Sequence, residues 1–201
     1  MKLAPNAFLT SFATGRGLVA AAATAIALGL VSHFVLVPAY HDVSGFAPFD
    51  VQFPLSPFAI AVELGGYAEG SATDAYLLFA VVDFAFAVAA AWLFTAAWVW
   101  LFSKVPTRLF AFLMRGGIFM VPFYAVVLDL AAKVGFFRLV RGLTGPSYAA
   151  TIEFCTTVHR FESALLDMRY YLTAAFLLTG ATELLMRQNP RRRSSGSAFP
   201  S

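Results

Sequence analysis

Between Arg16 and Lys104 the chain has no lysine or arginine, and from Gly17 to Pro38 it has no charged residue of either sign. About 20 consecutive apolar residues are what a helix needs to cross a bilayer. Such a run constrains the fold more than any motif does. The remaining composition agrees with it. Of 201 residues, 60% are hydrophobic and 12% charged, with a mean hydropathy of +0.75. That is about half the charged share of a soluble domain. One domain of this length cannot hide so much apolar surface, so lipid is the expected solvent.

Four spans are predicted, at about 17–38, 76–102, 109–137 and 164–186. The expected fold class is therefore all-α, an integral membrane four-helix bundle. Residues 1–187 form the membrane domain and 188–201 a basic, disordered tail. Basic residues gather at Lys2 and Arg16, at Lys104 and Arg108, and at Arg187 and Arg191 to Arg193. Asp42, Asp50, Glu63, Glu69 and Asp74 fill the first connection. The positive-inside rule then places both termini in the cytoplasm of a bacterium or the matrix of a mitochondrion. The membrane is accordingly a bacterial plasma membrane or a mitochondrial inner membrane, with lipids as partners.

The long outer connection should carry a short surface helix. Ser56-Pro57 reads as an N-cap with proline at the first helical position, and Gly65-Gly66 as a stop. Gly116-Gly117 and Pro122 predict close helix contact and a kink in the third span. Trp92, Trp98 and Trp100 cluster toward the inner end of the second span, as an interfacial belt does.

Charges inside the spans are the candidate working parts. Measured from the inner boundary at 1.5 Å per residue, His33 lies about 24 Å out, Asp83 and Asp167 about 28 Å, and Asp129 about 21 to 30 Å. They share one layer near the outer edge of a hydrocarbon core about 30 Å thick. Asp129 and Lys133 are spaced i,i+4 with the acid first, the favourable order for a helical pair. Two readings follow. In one, these groups form a polar collar where the bundle meets water. In the other, His33, Asp83, Asp129, Lys133, Asp167 and Arg169 line an outward pocket for a proton, an ion or a polar head group. Glu153, Arg160 and Asp167 recur every seven residues as a stripe, which suits a solvated or partner-facing edge.

No GxGxxG, GxxxxGK or HExxH pattern is present, and Cys155 is the only cysteine. No catalytic constellation, metal, cofactor or nucleic-acid partner is expected. His33 and His159 do not suit haem, because about 16 Å of helix rise separates their depths.

Phe49-Asp50 in the outer segment, Tyr76 and Asp83 in the second span, and Pro122 and Asp129 in the third follow one order. In that order the chain resembles a group of small, uncharacterised four-helix bacterial membrane proteins. It departs from them at Asp129-Leu-Ala-Ala-Lys133, where they carry Glu-Asn at the third and fourth positions after the aspartate, matching Ala132 and Lys133. The resemblance implies a fold and no chemistry. The function expected is that of a non-catalytic accessory or structural subunit of a larger membrane complex, respiratory or energy-transducing for example, bound to other membrane subunits. The alternative is a small transporter or a lipid- or quinone-binding protein that uses the outer polar cluster.

Overall fold

A computed structural model describes residues 14–66, 71–105 and 107–188. Lys2 and residues 189–201 of the basic tail lie outside the described residues. Among the described residues every regular element is helical. Three helices are long and apolar enough to cross a membrane: Gly15–Ser44, Ala72–Lys104 and Ile118–Val140.

The first begins as α1 (Gly15–Val31), capped by the Thr14 side chain, which accepts from the Gly17 amide. It passes through a wider π turn at Ser32–Leu36 and continues as α2 (Val37–Ser44). Gly45 stops it in the left-handed conformation, with φ 75°. A single-turn π segment inside an α-helix is a local rearrangement that re-aims side chains. Here Ser32 faces the interior and His33 faces outward.

The expected surface helix is α3 (Pro57–Gly66), capped by Ser56, which accepts from the Ala59 amide. It is no mere surface element. Phe58 is exposed, but Ile60 and Glu63 are buried. The second long helix is α4 (Ser71–Lys104), which includes the expected second span.

The third span departs from expectation. It does not run unbroken over 109–137. Residues Arg108–Arg115 form a separate helix, α5, capped by Thr107, and the apolar run then restarts through Ile118–Met120 into α6 (Val121–Val140). Gly117 has φ 72°, a conformation costly for any residue with a Cβ, so the Gly-Gly pair turns the chain and does not make the close helix contact expected of it. Phe110 of α5 tucks under Phe102 and Phe176, closing an inner aromatic core with Trp98. Trp98 is therefore not a belt residue. It is buried, and its Nε1 donates to Thr173 Oγ1 at 2.9 Å.

The last helix, α7 (Tyr148–Gln188), has 41 residues and starts well before the predicted fourth span. Asp167, Arg169, Glu183 and Arg187 interrupt its apolar run. It packs chiefly on α6, α6 packs on α4, and α4 packs on α1. Gly135 sits where α6 meets α7, and a Cβ there would run into the Cys155 sulfur. At the end of the long helices away from Phe110, Tyr40, Phe49, Tyr76, Phe79 and Phe136 form a second core, which roofs the site described next.

Candidate functional site

Lys133 is the centre of the site. Its ammonium donates to Asp129, one turn earlier on α6, to Asp83 Oδ2 on α4 at 2.9 Å, and to Asp50 Oδ1 at 3.2 Å. The i,i+4 spacing makes the first contact local. The other two bring separate parts of the chain together. Asp50 lies in the short 3-10 turn Phe49–Val51 of the connection between the first two long helices, and Phe49 stacks on Phe136 with ring centroids 5.0 Å apart. That stacking pins the turn over the ends of the helices and points its carboxylate inward. Side-chain exposures are 6% for Lys133, 6% for Asp50, 4% for Asp129 and 19% for Asp83.

Neighbours complete the coordination. Tyr76 donates its hydroxyl to Asp50 Oδ2 at 3.2 Å, and Ser32, turned inward by the π segment, donates to Asp83 Oδ1 at 3.5 Å. Asp129 Oδ2 is buried with no hydrogen-bond partner. The carboxylate oxygens of Asp50, Asp83 and Asp129 lie within 4.8 Å of one another, close enough to hold a metal ion, and the lysine ammonium bonds all three. At an effective dielectric of 20, each ammonium contact near 3 Å contributes about 5 kcal/mol, and each pair of carboxylates repels by about 3 to 4 kcal/mol. The attraction of one ammonium therefore exceeds the mutual repulsion of three ionised acids by only a few kcal/mol, and the cost of taking the charges out of water is set against that margin.

A second layer lies beside the first. His159 Nδ1 faces Glu162 Oε2 at 3.5 Å, without a well-directed hydrogen bond, and His159 Nε2 meets the Gln52 carbonyl at 3.3 Å. Burial lowers the His159 pKa, but Glu162 beside it outweighs that, and the net position is above the usual histidine range. Gln52 in turn donates to Glu63 Oε2 at 2.7 Å, and Tyr40 donates to Glu63 Oε1. Burial pushes the Glu63 carboxyl up to about 7; the Gln52 hydrogen bond opposes this and the Asp50 charge adds to it. Glu162 also acts electrostatically on Asp83 and Asp129, so the two layers share one field.

Of the six predicted pocket residues, three meet here: Asp83, Asp129 and Lys133. His33 does not. It is exposed on the outer side of the π turn, edge-on to Phe34. Asp167 does not either, because it is exposed on α7 with Glu153 and Arg160. The stripe is thus exposed along its length, on a face that its helix phase turns away from α6. Arg169 is buried, but its guanidinium lies over Phe94 at 4.3 Å and Tyr170 at 4.9 Å, with Nε unpartnered. It belongs to the α4–α7 seam, not to the acid cluster.

Sequence reading missed Asp50, Ser32, His159 and Glu162 as site members. Asp50 carried a faint signal, since it stands with Phe49, Tyr76, Asp83, Pro122 and Asp129 in the order that resembles the small bacterial membrane proteins. Phe49, Asp50, Tyr76, Asp83 and Asp129 all gather around Lys133 or its aromatic roof, whereas Pro122 sits seven residues below Asp129 on α6. Comparison with protein-family models, curated proteins and solved structures finds no match.

Proposed function

We propose that this chain is an integral membrane protein of four spans whose working part is the polar site around Lys133, and that it acts as a small transporter coupled to protons. The three apolar helices and the segment 164–186 of α7 would be the spans. Both termini would lie on the cytoplasmic or matrix side, where Arg16, Lys104, Arg108 and Arg187 sit. One observation carries the reading: three carboxylates from three separate segments converge on a single buried ammonium, beside a fourth acid and a histidine.

Ionisable groups inside membrane spans are costly, and they mark ion and proton pathways. Here acid exceeds base, so a proton or a cationic solute group relieves the excess, and releasing it restores the charge. Asp83 is the most accessible of the three acids, which makes it the entry point. Asp50 closes the site from outside on a segment that is not part of any long helix, so moving that turn would open it. Lys133 serves as a tethered cation that holds the acids together until a proton or a solute replaces it.

Infrared difference spectra of the purified protein, taken as pH is stepped across the range in which the fold is stable, test this directly. A buried carboxyl band should titrate in the wild type, and Asp83→Asn or Asp129→Asn should remove part of it. If neither substitution changes any titrating carboxyl band, the proton-coupled reading is wrong.

A second reading has its own observation. Glu153, Arg160 and Asp167 form an exposed charged edge on α7, which suits the charged face of a neighbouring subunit. In that case the chain is a non-catalytic accessory subunit. Gentle solubilisation and native electrophoresis distinguish the two, because a stoichiometric partner lost on charge reversal at Arg160 supports the accessory role.

A further inference from the structure

A groove of about 660 Å³ runs along the outward face of α6 beside the first turns of α7. Val127, Leu130, Val134 and Gly135 line it from α6, and Ala150, Thr151 and Phe154 from α7. The spacing of the first three along α6 is three or four residues, so they form one stripe, and Arg138 continues it at the outer end. The stripe from Val127 to Arg138 covers 11 residues of rise, about 16 Å. Half of a hydrocarbon core about 30 Å thick is about the same length.

The polar groups at the mouth are unequal. Ser147 and Thr151 already donate their hydroxyl protons to the Thr144 and Ser147 carbonyls. Arg141 lies 4.0 Å from Asp74. Arg138 has no acidic partner among the described residues. It is a cation standing over an apolar channel one leaflet deep. An arginine fork is suited to a phosphate, and a charge-assisted hydrogen bond is stronger than a neutral one.

We infer that this groove holds one acyl chain of an anionic phospholipid, with the lipid phosphate on Arg138 in the outer leaflet. The apolar stripe accepts the chain, and the guanidinium selects the charge of the head group. Gly135 lets α6 approach Cys155 on α7 and so fixes the seam beside which the groove lies. The inference rests on the chain residing in a membrane, and not on the proton chemistry of the Lys133 site.

Native mass spectrometry of the detergent-purified protein, offered phosphatidylglycerol and phosphatidylcholine with identical chains, provides the test. One phosphatidylglycerol should be retained in preference to phosphatidylcholine. Arg138→Gln should lower that preference about tenfold. Ala131→Phe, which fills the groove from its lining, should remove retention of both lipids. Arg138 is exposed, so its substitution leaves the packed interior intact. Equal retention of the two lipids, or a preference unchanged by Arg138→Gln, overturns the inference. So does a dimer dissociated by Ala131→Phe, since a second copy would then occupy the groove. Extraction of the native chain from membranes by alkaline carbonate would instead refute the membrane reading itself, and the two failures are separately visible.

Discussion

Replacing Lys133 by Gln removes the one cation shared by three carboxylates. Breaking a single buried pair costs about 3 to 5 kcal/mol. Lys133 serves Asp50, Asp83 and Asp129 together, so the upper end is expected. For a chain of this size that corresponds to a fall in Tm on the order of 10 to 20 °C. Thermal unfolding in mild detergent, followed by tryptophan fluorescence, reads it, because Trp98 is buried against Phe176. The informative step is the partial rescue. Adding Asp129→Asn to Lys133→Gln leaves Asp50 and Asp83 still facing each other, a repulsion of about 3 to 4 kcal/mol at an effective dielectric of 20. The double variant should therefore recover only part of the loss, and neutralising Asp50 and Asp83 as well should recover most of the rest. Full recovery in the double variant would refute this reasoning, since Asp129 and Lys133 would then be a self-contained helical pair. A loss below about 1 kcal/mol for Lys133→Gln would refute it too, because that is the size of a solvent-exposed ion pair.

Three further outcomes are expected. Glu63 is raised from 4.5 to about 7, chiefly by burial, so the folded state binds more protons than the unfolded chain. Its contribution is fully favourable below 4.5 and is lost as pH rises through about 7; Glu63→Gln should remove this downward slope, at most about 1.4 kcal/mol per pH unit, from thermal midpoints measured against pH. Gly135→Ala should cost about 1 to 3 kcal/mol by overpacking against the Cys155 sulfur. Adding Cys155→Ala should relieve most of that cost, and an additive double variant would show that the two helices simply move apart. Finally, His41→Cys and Ser103→Cys, each exposed and each placed in a Cys155→Ser background, should label from opposite faces of sealed vesicles. Labelling from the same face would contradict the proposed topology.

Much of the candidate site was legible one element at a time. Asp129 and Lys133 announced themselves as charges in an apolar run at pairing distance, and Asp83 as the lone charge of the predicted span 76–102. His33, Asp167 and Arg169 were grouped with them by depth alone. Depth along a helix says nothing of azimuth, and azimuth separated them. The π turn rotates His33 outward, and the phase of α7 leaves Asp167 exposed while Arg169 turns toward Phe94. Asp50 was hidden for the opposite reason, since a residue in an irregular connection has no periodicity to place it. Its position depends on Phe49 stacking against Phe136, a contact between residues far apart in sequence.

What the sequence by itself determined is therefore what depends on composition and local order. This includes the helical class, the three long apolar runs, the Ser56 cap of α3, and the distribution of basic residues. These follow from the backbone's need for hydrogen bonds and from the cost of leaving apolar side chains in water, both of which act within a few turns of chain. The tertiary structure alone decided that the third apolar run breaks at Gly117, that Trp98 is core, and that the connection between the first two long helices folds inward to set a third acid on Lys133. Each of these depends on long-range packing. Gly117 is needed in the left-handed region only because α5 must turn under the inner aromatic core. Asp50 is placed by aromatic rings that meet only once α4, α6 and α7 are side by side.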